Sequence, residues 1–250
     1  MSDNICKNCD LVIEQNFCAN CGQKKYKRID RKYLIDEVQY VAIHTNKGFF
    51  YSIKNILKNP GKTARDFVDG NRVNHYKPIG LAFILSGFST FISFKFLNFK
   101  EMLAKSYTQM GIPEHTANPI LTWITSYMSL FSLALLPIFA IFTYIVFKKW
   151  GNNFFEHIVM NAFFQCYYTL ITILLIYPLL YFSKDNISLF LNITLVSTLI
   201  VPLLLMWFYK GFYPEKSWLG IVGKVILFFV LFILSYFIFA LCLGIISRLF

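Results

Sequence analysis

Five apolar stretches constrain this chain more than anything else in it. They run over residues 78–96, 120–147, 156–182, 187–209 and 219–247, and few charges interrupt them. A bilayer core of about 30 Å is crossed by roughly 20 helical residues rising about 1.5 Å each. Peptide groups inside lipid must pair within their own segment or in a closed barrel, and continuous apolar runs suit helices rather than alternating barrel strands. The expected fold is an all-α polytopic membrane protein with five transmembrane helices over residues 78–250. Lys95 is placed to snorkel from the end of the first span. Lys148-Lys149-Trp150 and Trp207-Phe208-Tyr209-Lys210 have the composition of interfacial anchors. Pro137, Pro178 and Pro202 lie inside the second, third and fourth spans, where each removes a backbone hydrogen bond and either shapes the bundle or marks a hinge.

Charge is scarce and unevenly placed. Only 15% of the residues are charged, against about 25% in a soluble domain. Residues 1–77 hold 14 of the 24 Lys/Arg and 8 of the 13 Asp/Glu, so a basic, polar head precedes the apolar body. Threading the chain through five spans leaves Lys95, Lys100, Lys105, Lys184 and Arg248 on one side and the other nineteen Lys/Arg on the side of the head. The excess of Lys/Arg marks the cytoplasmic side, so the N-terminus is expected inside and the C-terminus outside. Met-Ser-Asp-Asn leads into cysteines rather than an apolar run, so no export signal is expected ahead of the head.

The head begins with CKNCDLVIEQNFCANCGQKK, residues 6–25. Cys6, Cys9, Cys18 and Cys21 form two C-x-x-C pairs with the spacing of metal knuckles. Four thiolates close a tetrahedral site with no open position, which points to one structural zinc and disfavours catalysis at the metal; iron also occupies four-thiolate sites. Gly22 after the second pair tolerates the positive φ of a knuckle turn, and Asp10 after the first adopts it at a cost. A cytoplasmic head argues against disulfides. Residues 1–27 are too few to bury a core, so metal binding should supply most of their folding energy. Two roles fit this ribbon: a clip that orders the N-terminus, or a docking module for a cytosolic protein. Lys24, Lys25, Lys27 and Arg28 follow directly. Attraction to anionic lipid headgroups explains them more simply than nucleic acid, which is not an expected partner.

Residues 28–77 read as a basic amphipathic elbow on the cytoplasmic membrane surface. Asp30 can cap a helix to about His44, with Leu34, Ile35, Val38, Val41 and Ala42 on one stripe. Phe49, Phe50, Ile53, Ile56 and Leu57 recur at helical spacing, with Lys54 and Lys58 opposite. Pro60-Gly61 breaks that helix, and a short one from about Thr63 to Asp69 stops at Gly70. Such an elbow either lies in the headgroup plane or packs under the bundle as a collar. Arg65, Arg72 and Lys77 join the candidate headgroup contacts.

Four short motifs carry a resemblance: Gly48-Phe49, Asn59-Pro60-Gly61, Asp69-Gly70-Asn71-Arg72 and Tyr76-Lys77-Pro78. With the four-cysteine pattern, they make residues 6–95 resemble an uncharacterised family of bacterial membrane proteins, a domain of unknown function. That resemblance implies a bacterial inner (cytoplasmic) membrane and a zinc-ribbon head, and no catalytic residue. Five spans with a cytosolic head also resemble Yip-family membrane proteins, by span count alone.

Polar residues inside the spans are the remaining candidates. In the third span His157, Asn161 and Gln165 fall at i, i+4 and i+8 on one face, with Glu156 beside them at the inner edge. The row either forms interhelical hydrogen bonds or serves a proton, cation or ligand path. Asn192, Thr194, Ser197 and Thr198 in the fourth span are expected to make interhelical contacts, and Cys166 and Cys242 to be small packing residues. The 97–110 stretch is amphipathic, and His115 follows it in a polar loop. No nucleotide-binding, zinc-protease or hydrolase motif occurs, so no enzyme is expected. The expected function is a non-enzymatic adaptor or membrane-organising protein, engaging cytosolic partners or anionic lipids through ribbon and elbow. The alternative is a small transporter or lipid-handling protein using the polar residues of the third span.

Overall fold

The computed structural model describes residues 5–25, 28–33, 48–109, 111, 119, 121–123 and 126–249. Lys27, Met110, His115, the Cys242 side chain and the 30–44 helix beyond Tyr33 lie outside the described residues. In chain order the helices are α1 (Phe49–Lys58), α2 (Pro60–Val68), α3 (Pro78–Phe96), α4 (Phe99–Gln109), α5 (Met128–Phe147), α6 (Phe154–Ile171), α7 (Tyr177–Phe182), α8 (Ile187–Phe212) and α9 (Trp218–Leu249). Among the described residues there are no strands, only the isolated bridges Ile5–Val12 and Phe17–Lys24.

Among the described residues five helical segments are long and apolar enough to cross a membrane: Pro78–Phe96, Leu130–Trp150, Phe154–Phe182, Ile187–Phe212 and Trp218–Ile238. Between 17% and 33% of their apolar windows is buried inside the protein. Most of their surface therefore needs an apolar exterior, and Leu199, Leu203 and Tyr236 stand exposed on it. α6 runs through the centre, with Val159, Met160, Ala162, Phe163 and Cys166 all fully buried.

Two prolines lie within helices, Pro137 in α5 and Pro202 in α8. The third, Pro178, has no N–H to give the preceding turn. The turn widens there into a π segment, Thr172–Ile176, with the Tyr177 amide donating to Thr172 O.

The elbow forms a layer at one end of the bundle. The break between α1 and α2 falls at Asn59, not at the Pro-Gly pair. Pro60 starts α2 at the position where its missing N–H costs nothing, and Asn59 Oδ1 caps Lys62 N at 3.0 Å. α2 therefore begins three residues earlier than its composition suggests, and Gly61 is inside it. Ile56, Ala64, Phe67 and Val68 are buried in the same core as Phe163, Phe208 and Tyr209, so the bundle occupies one apolar face of α1 and α2. Phe50, on the other side of α1, is 82% exposed.

Gly61 and Gly211 set the approach of α2 to α8. A Cβ on Gly61 would stand 1.9 Å from Phe208 O, and one on Gly211 would stand 3.1 Å from Gly61 Cα. Only two glycines permit that crossing. At the opposite end α4 is held by Leu97 and Met102 against Leu180 and Phe190.

Candidate functional site

The four-cysteine cluster, which could hold a metal ion, is built from two copies of one knuckle. Cys6 N donates to Leu11 O and Asp10 N to Cys6 O; twelve residues on, Cys18 N donates to Gln23 O and Gly22 N to Cys18 O. The turns need positive φ, and Asp10 (59°) and Gly22 (72°) adopt it. The four sulfurs lie within 4.8 Å of one another, with Cys6–Cys21 at 3.6 Å and Cys9–Cys18 and Cys9–Cys21 at 3.5 Å. A tetrahedral ion with bonds of about 2.3 Å needs edges of roughly 3.8 Å, so the set closes on one ion with small adjustment.

The thiols differ in acidity. The Asn8 side chain, opposed by burial and aided by the Gln23 amide, brings Cys21 down to about 6. The Leu11 amide pulls Cys9 down, but burial and the Cys18 and Cys21 sulfurs outweigh it and hold Cys9 up at about 11. An ion would draw off the remaining protons.

The cluster is fastened to the elbow by Gln23, a residue with no signature in the sequence. Gln23 is 3% exposed. Its Nε2 donates to Gly70 O at 2.6 Å, and its Oε1 accepts from Arg72 N at 3.1 Å and Val73 N at 2.8 Å. Gly70, at φ 113°, turns that carbonyl out of the end of α2. Asn74 Nδ2 adds a bond to Asn8 Oδ1 at 2.9 Å.

The arginines singled out in the sequence have protein acceptors. Arg28 donates to Glu156 Oε1 and to Gly151 O, both at 2.8 Å. Arg65 bonds Glu215 Oε2 at 2.6 Å and Phe212 O at 3.1 Å. Arg72 donates to Phe67 O and Val68 O, completing the end of α2, and its guanidinium lies 5.0 Å from the Tyr33 ring centre. Lys24 is exposed, and Lys25 and Lys77 are half-buried.

The row on α6 divides. Glu156, 3% exposed, belongs to the elbow end. It takes part in a reciprocal cap with Asn153 and accepts from Arg28 and Asn152. His157 is fully buried among Tyr144 and Phe147, and neither ring nitrogen has a hydrogen-bond partner. Asn161 Nδ2 donates to Thr143 Oγ1 at 3.0 Å and His157 O at 2.7 Å. Gln165 Nε2 donates to Ser86 Oγ and Ser132 Oγ, both at 3.0 Å.

Asn161 and Gln165, but not Glu156 or His157, border a cavity of about 540 Å³ between the spans. Its lining also takes Ser86, Ser89, Thr90 and Ser93 of α3, and Thr194, Ser197 and Thr198 of α8. Among the described residues the hydroxyls of Thr194, Ser197 and Thr198 donate within their own helix rather than between helices: Thr194 to Phe190 O, and Ser197 and Thr198 to Thr194 O. Asn192 lies outside the lining.

No curated protein and no solved structure matches the chain. Residues 46–90, which span α1, α2 and most of α3, match a family described as a protein of unknown function (DUF3667).

Proposed function

We propose that the chain is a non-enzymatic adaptor of a bacterial inner (cytoplasmic) membrane, with its N-terminus in the cytosol and its C-terminus outside. One structural zinc holds the ribbon, and the ribbon docks a cytosolic protein. The observation that carries this reading is the ribbon surface. Ile5, Leu11, Val12 and Phe17 are 41%, 51%, 67% and 58% exposed, in a segment fastened to the elbow through Gln23. Exposed apolar side chains on so small a unit, with Ile5 paired to Val12, support a reading as an interaction surface. Lys24, Lys25, Lys27 and Lys77 add attraction to anionic headgroups, and Arg28, Arg65 and Arg72 chiefly brace the elbow.

The test is crosslinked affinity purification from native membranes, comparing wild type with V12D/F17D at matched abundance and matched zinc content. A partner recovered by wild type and lost from the variant supports docking. The same set of proteins from both would leave the ribbon as a clip. A second reading, a small transporter or lipid-handling protein, is favoured by the cavity beside Asn161 and Gln165. Solute or lipid flux in liposomes that falls with Gln165→Ala would support it.

A further inference from the structure

The lining of the intramembrane cavity has a chemical bias. Three polar stripes meet there at helical spacing: residues 86, 89, 90 and 93 on α3, residues 161, 165 and 172 through α6 and the π turn, and residues 194, 197 and 198 on α8. Hydroxyls that served only to glue helices would bond across the gap. Ser86 and Ser89 do bond across the gap, to Gln165 and to the Tyr177 hydroxyl; the other six, Thr90, Ser93, Thr172, Thr194, Ser197 and Thr198, donate to carbonyls of their own helix. A hydroxyl whose proton is used this way presents only lone pairs. Both amides repeat the pattern. Asn161 and Gln165 direct their N–H groups to protein acceptors, and their carbonyl oxygens have no partner among the described residues. The part of the lining formed by Asn161, Gln165, Thr172 and the α8 hydroxyls is therefore rich in acceptors.

Among the described residues no Lys, Arg, Asp or Glu lines it, and Phe139, Phe228 and Phe232 contribute apolar lining. A bare cation would meet no carboxylate to offset its desolvation, and an anionic headgroup would meet no positive charge. The volume of about 540 Å³ lies within the roughly 300–1,000 Å³ range of small-molecule sites. The π turn, a feature frequent at functional sites, lies on its rim with Thr172 and Ile176.

We propose that this cavity binds an uncharged membrane lipid that carries a free hydroxyl, of the diacylglycerol class. The hydroxyl donates to the acceptor wall, and an acyl chain lies along the phenylalanines. The proposal gives a ligand class to the lipid-handling reading and rests on it only in part. Binding without flux would keep the site and remove transport, and neither result touches partner docking by the ribbon.

The experiment uses the full chain in nanodiscs with a diacylglycerol bearing a photoreactive acyl chain, and maps the labelled peptides by mass spectrometry. Labelling is expected on α3, α6 and α8. Unlabelled diacylglycerol should compete about tenfold better than the same lipid with its hydroxyl capped as a methyl ether, the loss expected for one hydrogen bond. T194V/T198V, which removes two acceptors at nearly constant shape, should weaken labelling with little change in thermal stability. Equal competition by the ether or by phosphatidylcholine would overturn the proposal, because ordinary bilayer lipid then fills the space. Labelling confined to other helices would overturn it too. The competition arm uses wild type alone, so it stands even where the variant fails to fold.

Discussion

Replacing Gly61 by alanine tests whether the α2–α8 crossing holds the elbow to the membrane bundle. The added Cβ would sit 1.9 Å from Phe208 O, 2.7 Å from Phe212 N and 2.8 Å from Gly211 Cα. Non-bonded C···O contacts begin at about 3.3 Å, so the two helices must part by more than about 1 Å. All three obstacles are backbone, so no rotamer change relieves them. A gap of that size removes roughly a quarter to a half of the dispersion across the contact, including that of the fully buried Ala64 and nearly buried Phe67. Overpacking costs about 1–3 kcal/mol and sometimes more; alanine returns about 1 kcal/mol of helix propensity over glycine.

A net loss of up to about 2 kcal/mol follows, or roughly 4–8 °C at about 2–4 °C per kcal/mol for a chain of this length. Gly223 is the matched control, since nothing lies within 4 Å of its Cβ position, and Gly223→Ala should be neutral or slightly stabilising. The assay is thermal or SDS-induced unfolding of purified protein in one detergent. Equal midpoints for Gly61→Ala, Gly223→Ala and wild type would refute the crossing. Gly211→Ala should be less than additive with Gly61→Ala, because both open the same contact.

Three further outcomes are expected. Gln23→Leu removes three hydrogen bonds to residues 70–73; it should raise amide exchange across 70–76 by at least about tenfold, at roughly 1 kcal/mol per bond, while bound metal stays the same. Chelation, or C18S/C21S, should release one ion per chain and abolish amide protection at Cys6, Asp10, Cys18 and Gly22, with the helical signal of the bundle unchanged. Burial, partly countered by Asp66, lowers His75 from 6.5 to about 4, and Ser52 Oγ lies 3.4 Å from its Nδ1. The unfolded chain takes up the proton first, so the contribution of neutral His75 is full above about pH 6.5. As pH falls from there towards 4, up to about 3 kcal/mol is lost. Acid unfolding curves of wild type and His75→Phe should diverge in that window, and parallel curves would remove His75 as the cause.

The parts legible in the sequence are those governed by local pattern. Apolar length announces a span whatever its neighbours do, and C-x-x-C followed by a residue tolerating positive φ announces a knuckle, as Asp10 and Gly22 bear out. The parts that were not legible depend on contacts between distant segments. Gln23 is one polar residue among several until the loop at 70–73 is placed against it. Gly61 beside Pro60 reads as a break because that pair breaks helices in general. Its use here, letting α8 approach to backbone contact, exists only once Gly211 arrives from 150 residues away. The same holds for the polar residues of the spans. Spacing puts Asn161 and Gln165 on one face of α6 but cannot say whether that face meets a neighbour or a void. The direction of each hydroxyl proton decides between glue and cavity wall, and on α8 those of Thr194, Ser197 and Thr198 turn back to their own helix. The stretch matched by the family, 46–90, holds Gly61, Gly70 and Arg72. It is thus the segment that lies between the four-cysteine head and the rest of the bundle.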